Sequence, residues 1–391
     1  MKILVVAKTD SIHTVRWLSQ IADQGWEVHV FPSVLGGIVH SQLKGVIIHD
    51  DFLKFDKKVR IKPASFFKLL MASPDLIKSR LNYKEFHIKR LGKLINKINP
   101  DIIHSLEFQT AGYLVSEVKS KYNSKFPKWI ATNWGSDIYY FGRFPEHEEK
   151  IREVLSGCDY YSCECQRDVF LAKQFGFTGV TLPVYPNAGG FDLLGISSFR
   201  QPGPASDRRI IMLKGYQGWA GRALIGIEAL GRCADLLGDY KIKVYSVADA
   251  VSGVPEAVEK LRKSSNIDIQ IIPKETSHSD ILKLHGSARI SIGLSITDGI
   301  STSFLETIVM GSFPIQSSTA CTTEWIEDGK TGIIVPPEDC SLIEAAIRKA
   351  LTNDNMINRA ALANYKVAEE RLSYDLLKEK TVNFYRAVDL G

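Results

Sequence analysis

Short apolar runs alternate along the whole chain with amphipathic stretches of helical length. A first series of runs occupies residues 3–7, 27–31, 101–104, 129–132, 160–162 and 180–182, and a second occupies residues 209–213, 242–247, 267–272 and 290–296. Runs of this length, rich in β-branched residues, are typical of parallel strands buried on both faces. Two series of alternating strands and helices predict two doubly wound α/β domains.

Glycine, proline and serine residues indicate where the helices and domains begin and end. The helix after the first strand is predicted over residues 14–24, with Gly25 as its C-terminal stop. Residues 197–206, Ser-Ser-Phe-Arg-Gln-Pro-Gly-Pro-Ala-Ser, have the composition of a linker. We therefore expect a first domain over 1–197 and a second over 207–370, followed by a C-terminal helix over 371–391.

Composition narrows the class of protein. The length of 391 residues suits two domains, and 45% apolar with 24% charged residues is typical of a globular protein. A net charge of +5 is compatible with an anionic substrate or membrane surface and too small to imply nucleic acid. The first apolar run is broken at Lys8 and Asp10, and no run of 18 apolar residues occurs. These features predict a cytoplasmic location.

Cofactor motifs are missing from the expected places. The first strand is followed by Lys8-Thr-Asp-Ser-Ile-His13 rather than Gly-x-Gly-x-x-Gly, which argues against a nicotinamide cofactor. Cys158, Cys163 and Cys165 cluster without a Cys-x-x-Cys pair or a histidine at ligand spacing. We expect reduced core thiols and no metal site, and predict that the protein needs no cofactor.

Residues 298–311 hold the most informative pattern. Asp298 follows the last strand of the second series, at the end where open α/β sheets bind ligands, and Glu306 follows eight residues later. A helix is predicted to end at Gly311, and its N-terminus carries three possible capping residues, Ser301, Thr302 and Ser303. A helix N-terminus suits a phosphate, and a carboxylate one turn into the helix can accept two hydrogen bonds from a ribose.

Three further segments extend this pattern, namely Gly311-Ser-Phe-Pro-Ile, Glu324-Trp-Ile-Glu-Asp-Gly-Lys-Thr-Gly332 and Pro336-Pro-Glu-Asp339. Together with Asp298-x7-Glu306, they resemble the donor-binding motif of the retaining family 4 glycosyltransferases, within glycosyl transferases group 1. That family has a glutamate at the position of Asp298. The resemblance implies the GT-B fold, in which two Rossmann-like domains flank an interdomain cleft and the last helix crosses back onto the first domain.

The resemblance also assigns roles to the second domain. Glu306 would hold the ribose of a nucleotide diphosphate sugar, and Asp298 would orient the hydroxyls of the donor sugar. Backbone N–H groups of Gly299, Ser301, Thr302 and Ser303 would assist at the phosphates. Two cations of the glycine-rich loop 214–222, Lys214 and Arg222, would stabilise the departing diphosphate. The chain contains no Asp-x-Asp, so we predict a metal-independent reaction.

The resemblance also indicates candidate residues in the first domain. Asp137, in Thr132-Asn-Trp-Gly-Ser-Asp-Ile138, matches an aspartate of the family, whose histidine is replaced here by Trp134. It is a candidate catalytic residue or a loop carboxylate. His13 and Asn187 are candidates for binding the acceptor, and the alternative for His13 is an ordinary surface residue. His104, which ends a buried strand pattern, is expected to be a satisfied core histidine.

Residues 54–97 combine many lysines and arginines with interleaved phenylalanines and leucines. Such a stretch can lie on an anionic membrane, or it can be an amphipathic helix pair with a solvated basic face. Peripheral membrane association is therefore one prediction for this segment.

The function favoured by the sequence is a retaining glycosyltransferase, with UDP as the favoured nucleotide. It would move a sugar to a hydroxyl of a glycan or lipid-linked acceptor in surface polysaccharide or glycoconjugate synthesis. Two alternatives stay open: a nucleotide-sugar epimerase on the same architecture, and an inactive homologue that acts as a scaffold in a glycan-assembly complex.

Overall fold

A computed structural model describes residues 1–36, 38–49, 75–122, 125–247 and 252–390, without the side chains of residues 75–82. Residues 54–74, which form the first part of the basic stretch, lie outside the described residues. Residues 75–97 of that stretch belong to a single helix, Asp75–Ile98. In the described parts of the chain, no helix is both long enough and apolar enough to cross a membrane.

The chain divides into two compact units. The N-terminal unit comprises residues 1–164, 168–188 and 378–391, and the C-terminal unit comprises residues 165–167 and 189–377. Each unit contains one parallel β-sheet. The described chain therefore has the predicted two-domain α/β architecture.

The sheet of the N-terminal unit has seven parallel strands in the order β3-β2-β1-β4-β5-β6-β7. The strands are β1 Lys2–Ala7, β2 Glu27–Pro32, β3 Ile47–Ile48, β4 Ile102–Leu106, β5 Lys128–Thr132, β6 Tyr160–Ser162 and β7 Val180–Thr181. The α-helices along this part of the chain are α1 Ile12–Ser19, α2 Asp75–Ile98, α3 Tyr113–Ser120, α4 Ser136–Tyr139, α5 Pro145–Gly157 and α6 Gln166–Gln174.

The sheet of the C-terminal unit has six parallel strands in the order β10-β9-β8-β11-β12-β13. The strands are β8 Ile210–Lys214, β9 Lys241–Tyr245, β10 Asp268–Ile271, β11 Ala288–Gly293, β12 Phe313–Ser317 and β13 Ile333–Val335. The α-helices are α7 Ala223–Arg232, α8 Val254–Ser264, α9 His278–Gly286, α10 Thr302–Met310, α11 Cys340–Thr352, α12 Asp354–Arg371 and α13 Tyr374–Leu390.

Central strands are buried on both faces, as their continuous apolar runs predict. In β1, Ile3, Leu4, Val5 and Val6 are fully buried, and the strand pairs in parallel with β2 and β4. Strand β8 has the same central place in the second sheet, between β9 and β11. Since all strands of each sheet are parallel, the loops that follow these central strands meet at one edge of the sheet, where polar side chains can gather.

The first helix ends earlier than the sequence predicts. Helix α1 stops at Ser19 rather than at residue 24. The N–H groups of Gln20 and Ile21 donate to carbonyls three residues back, on Trp17 and Leu18, so the chain tightens into turns. The apolar periodicity continues through these turns, and this is why the pattern overstates the length of the helix.

The second half of α13 packs within the N-terminal unit. The Tyr385 hydroxyl lies 2.8 Å from Nε1 of Trp17 and 2.6 Å from Nδ1 of His104. His104 is fully buried, and its Nε2 lies 2.6 Å from Oγ1 of Thr132. Burial lowers the pKa of His104 to about 3, which keeps the ring neutral at ordinary pH. It is the satisfied core histidine that the sequence favours.

Candidate functional site

Lys214 is the centre of a polar cluster at the carboxyl edge of the second sheet. It ends β8, and its Nζ lies 3.1 Å from Oδ2 of Asp298, 2.9 Å from Oγ of Ser301 and 3.3 Å from Oγ of Ser295. The ammonium also lies 3.9 Å from the ring centroid of Tyr216. Only 7% of the Lys214 side chain is exposed, whereas 26% of Asp298 is. The cluster therefore holds a buried cation beside a partly open carboxylate.

The N-terminus of α10 faces this cluster without a side-chain cap. Ser301 occupies the N-cap position, but its hydroxyl bonds Lys214 and Ser303 instead of a helix N–H. Within the described part of the chain, the backbone N–H groups of Thr302 and Ser303 have no acceptor. These two donors and the helix dipole favour an anion in front of the helix. The C-terminal end agrees with the sequence, since Gly311 adopts φ +69° there.

Glu306 lies one turn further along α10 and is almost fully buried. Its Oε1 lies 2.7 Å from Nε2 of His278, the first residue of α9. Tyr245, which ends β9, has a raised pKa because its phenol is buried and because Glu306 is negatively charged. Ser303 also hydrogen-bonds Tyr245 and lowers that pKa. Glu306 is thus bonded to a half-exposed imidazole and lies near enough to a buried phenol to raise its pKa.

Arg222 lies in the loop that follows Lys214, and each of its side-chain nitrogens contacts an oxygen. Its Nε lies 2.8 Å from Oε1 of Glu338, and its Nη1 lies 2.6 Å from the carbonyl of Gly218. Its own N–H donates to the carbonyl of Leu294, which precedes the Ser295 of the lysine cluster. The two predicted cations therefore lie along the same segment, and a phosphate that bound Arg222 would have to replace Glu338.

Asp137 of the N-terminal unit has the contacts of a loop carboxylate. It is buried, and its Oδ2 accepts hydrogen bonds from the backbone N–H of Phe108 at 2.9 Å and of Trp134 at 2.8 Å. Its pKa is raised well above the usual value by burial and by the nearby charge of Glu107. Asp137 joins the loops after β4 and β5, which is the alternative that the sequence left open; its catalytic role stays a prediction.

Glu107, which the sequence did not single out, is the second acid of this region. Its backbone has φ 75° and ψ 157°, a conformation that is essentially reserved for glycine. One carboxylate oxygen accepts from the backbone N–H groups of Thr110 and Ala111, at 2.8 and 2.7 Å, and from the Thr110 hydroxyl. The other lies 3.8 Å from Nζ of Lys8. These bonds hold the strained residue in place.

The two candidate acceptor-binding residues lie at the same carboxyl edge of the first sheet. The ring of His13 packs edge-on against Trp134, with centroids 5.4 Å apart. Nδ2 of Asn187 lies 3.2 Å from the carbonyl of Asn133. The Oδ1 atoms of both asparagines are buried and have no hydrogen-bond partner among the described residues. Buried unpaired acceptors of this kind suit a water molecule or a hydroxyl-bearing ligand.

One group of side chains in the described residues could hold a metal ion. The ligand atoms of Cys165, Cys321 and Glu324 lie within 4.8 Å of one another in the C-terminal unit. Cys158 and Cys163, the other members of the cysteine cluster in the sequence, are buried in the core of the N-terminal unit. The three cysteines that are close in the sequence therefore do not form one group in the structure, because Cys165 belongs to a different core.

The structure brings together most of the predicted donor-site residues and adds others. Asp298, Lys214, Ser301 and Ser303 form one cluster, and Arg222 lies in the adjoining loop. His278 and Tyr245 were missed because only the tertiary fold brings the start of α9 and the end of β9 to Glu306. The sequence Ser277-His-Ser-Asp280 does signal a helix start, but it does not show which residue that start will face.

Two family models match this chain. Residues 2–157 match "Glycosyl transferase 4-like" and residues 250–367 match "Glycosyl transferases group 1", and together these ranges span more than half of the chain. The chain belongs to the group 1 glycosyltransferases. The resemblance of residues 298–340 to glycosyl transferases group 1 is thereby confirmed, whereas the assignment to a retaining family 4 enzyme stays a prediction. Comparison with curated protein sequences gives no match.

Solved structures of low sequence identity show the same fold. Sucrose-phosphate synthase from Thermosynechococcus elongatus superposes with a TM-score of 0.72 at 14% identity, covering 99% of each chain. Anabaena Alr3699/HepE in complex with UDP-glucose superposes with a TM-score of 0.67 at 13% sequence identity. The match covers 99% of this glycosyltransferase and 100% of the other chain. The UDP-forming α,α-trehalose-phosphate synthase from Burkholderia xenovorans gives 0.70 at 11%, covering 99% of each. The GT-B fold is confirmed.

Proposed function

We propose that this glycosyltransferase takes its sugar from a nucleotide diphosphate sugar bound at the start of α10. The observation that carries the proposal is the cluster of Lys214, Asp298 and Ser301 in front of two unpaired helix N–H groups. Such a site offers a cation and oriented donors to a diphosphate, while Glu306 offers acceptors to a ribose. The solved Anabaena protein contains UDP-glucose or UDP, which supports UDP as the first nucleotide to test.

Each residue has a role in this proposal. As the bond to the sugar breaks, negative charge grows on the diphosphate, where Lys214 and the N–H groups of Thr302 and Ser303 stabilise it. Arg222 adds a second cation once it leaves Glu338. Asp298 orients the sugar hydroxyls from its place beside Lys214.

We propose further that the reaction retains the configuration of the sugar and needs no metal ion. Retention would follow a same-face route in which the leaving phosphate takes the proton of the acceptor hydroxyl. The acceptor would be a glycan or lipid-linked hydroxyl bound near His13 and Asn187, in surface polysaccharide or glycoconjugate synthesis. Peripheral membrane association through residues 54–97 stays a prediction.

The first test is titration calorimetry of UDP against wild type, Glu306→Ala and Glu306→Gln. The hydrogen bonds of a charged carboxylate contribute about 1.5–3 kcal/mol, so Glu306→Ala should weaken UDP binding by roughly 10- to 150-fold. Glu306→Gln should lose less UDP affinity than Glu306→Ala, because its amide oxygen still accepts a hydrogen bond from the ribose. Unchanged affinity in Glu306→Ala would remove the ribose assignment.

Turnover tests the rest of the proposal. UDP release from UDP-sugars should continue in excess EDTA, and the sugar first released to water should keep the anomeric configuration of the donor by NMR. Loss of turnover on chelation that Mg²⁺ restores would contradict metal independence. A product that is still UDP-linked but epimerised would favour the epimerase, and no turnover with any donor would favour the scaffold.

A further inference from the structure

His278 contacts the carboxylate that the proposed function assigns to the ribose. Its Nε2 lies 2.7 Å from Oε1 of Glu306. Only 7% of the Glu306 side chain is exposed, whereas 47% of His278 is. A carboxylate can only accept hydrogen bonds, so Nε2 of the imidazole must carry the proton that joins them. Glu306 is therefore anchored by one oxygen to a residue at the surface of the site.

The place of His278 in the fold makes this contact firm. It is the first residue of α9, directly after the N-cap Ser277, whose hydroxyl accepts from the N–H of Asp280. The capped helix fixes the backbone from which the imidazole extends. Tyr245, which ends β9, is buried, and the charge of Glu306 is one of the causes that raise the pKa of its phenol. The bond to His278 thus gives the carboxylate a partner on a capped helix.

We propose that His278 is a positioning residue of the nucleotide site, which acts through Glu306 to select nucleotides that carry an intact ribose diol. This inference rests on the proposed function. Each carboxylate oxygen has two lone pairs, so Oε1 can accept from His278 and from one ribose hydroxyl while Oε2 accepts from the other. A glutamate side chain that is already fixed loses less rotamer freedom when the ribose binds.

The opposite role is a competitor, in which the imidazole occupies the place of the ribose and must leave before the nucleotide binds. The two roles predict opposite changes in UDP affinity when His278 is removed. Removing a positioning residue weakens binding of a nucleotide with two ribose hydroxyls, whereas removing a competitor strengthens it. Positioning is favoured because a carboxylate oxygen that accepts from the imidazole keeps a second lone pair, so the imidazole does not have to leave.

The experiment compares UDP with 2′-deoxy-UDP by titration calorimetry in wild type and four variants. His278→Ala should weaken UDP binding by roughly 2- to 12-fold, the equivalent of one ordinary hydrogen bond, because an unanchored Glu306 bonds the ribose less well. It should change 2′-deoxy-UDP binding much less, so the preference for UDP should shrink. His278→Gln places an N–H where Nε2 was and should restore the preference, while the shorter His278→Asn should behave as alanine does. Ser279→Ala, on the same helical turn, is the control and should match wild type.

The outcomes separate this inference from the proposed function. If wild type does not bind UDP, or if Glu306→Ala binds UDP with wild-type affinity, both the proposed function and this inference are wrong. If Glu306→Ala loses UDP but His278→Ala keeps the wild-type preference between the two nucleotides, or binds UDP more tightly, only the inference is overturned. Thermal unfolding of each variant shows that the fold is kept.

Discussion

Each unit of this glycosyltransferase places two acids at the carboxyl edge of its sheet, but the acids have different partners. In the C-terminal unit, Asp298 contacts the ammonium of Lys214 and Glu306 contacts the imidazole of His278. In the N-terminal unit, Asp137 accepts from two backbone N–H groups, as does Glu107. The first pair is bonded to side chains, and the second pair mainly to the main chain.

This difference in partners indicates which carboxylates can bind a ligand. A carboxylate that is held by another side chain can accept a further hydrogen bond from substrate, or exchange that partner for one, without leaving a buried backbone N–H group unpaired. A carboxylate that satisfies buried backbone N–H groups cannot turn away without leaving them unpaired, which costs about 1–3 kcal/mol for each group. We therefore expect Asp298 and Glu306 to act on the donor, and Asp137 and Glu107 to shape loops.

The largest effect should come from Lys214→Met. The variant removes the buried cation in front of α10, so charge on the leaving diphosphate loses a preorganised partner. Removing one such group typically lowers turnover by about 100- to 1,000-fold. Initial rates of UDP release across donor concentrations should show a fall in kcat larger than the rise in KM.

Two variants control for folding in this measurement. Lys214→Met leaves Asp298 without its ammonium, whereas the double variant Lys214→Met/Asp298→Asn removes both charges together. Lys283→Met removes a lysine that is half exposed on α9 and pairs with Asp280. Turnover near wild type in Lys214→Met, with Lys283→Met also unaffected, would place the diphosphate elsewhere.

The next effect concerns stability in the N-terminal unit. Asp137→Ala leaves the buried N–H groups of Phe108 and Trp134 without an acceptor, so the free energy of unfolding should fall by about 2–5 kcal/mol. Urea denaturation measures it. Asp137→Asn keeps an acceptor oxygen at the same distance from the backbone, so its free energy of unfolding should fall less than that of Asp137→Ala at low pH. Activity of the folded fraction of Asp137→Asn near wild type would support a loop role, and loss of turnover with unchanged stability would favour a catalytic one.

The raised pKa of Asp137 gives this pair of variants a pH signature. Burial makes the native state hold the proton more tightly than the unfolded chain does. The stabilisation is therefore complete below the unfolded pKa and is lost as pH rises through the raised native value. Within that window wild type should lose about 1.4 kcal/mol per pH unit relative to Asp137→Asn, which cannot titrate. A stability difference independent of pH would mean that Asp137 is ionised throughout.

Local patterns predicted much of the fold because burial imposes them directly. The continuous apolar runs of β1 and β8 predict central strands, and Ser301 and Gly311 mark the ends of α10 at the residues where the structure has them. The end of α1 was missed because Ile21 and Ala22 keep the apolar period while the backbone turns. The two-residue strand Ile47–Ile48 carries too few residues for a pattern.

The candidate site was predicted only where its residues lie in short sequence motifs. Asp298, Ser301 and Glu306 lie within nine residues, so their spacing is visible in the sequence. The hydroxyl of Ser301 turns to Lys214 instead of capping its helix, and that choice depends on a lysine 87 residues away. The strained backbone of Glu107 has no signal in the sequence, because its conformation is imposed by bonds from a neighbouring turn and from Lys8.

The smallest effect should come from Glu338→Gln and bears on whether Arg222 exchanges its partner. Oε1 of Glu338 lies 2.8 Å from Nε of Arg222, and the carboxylate is 65% exposed. Exposed ion pairs contribute about 0.2–1 kcal/mol, so releasing Arg222 should strengthen UDP binding by no more than about fivefold and leave stability nearly unchanged. The gain should be smaller for UMP, which lacks the second phosphate, and it should shrink at high salt. Calorimetry with UDP and UMP at two salt concentrations measures both differences. Equal affinities in Glu338→Gln and wild type for both nucleotides would show that Arg222 belongs with the main-chain contacts of its loop, as Asp137 does, rather than with the exchangeable partners of the donor site.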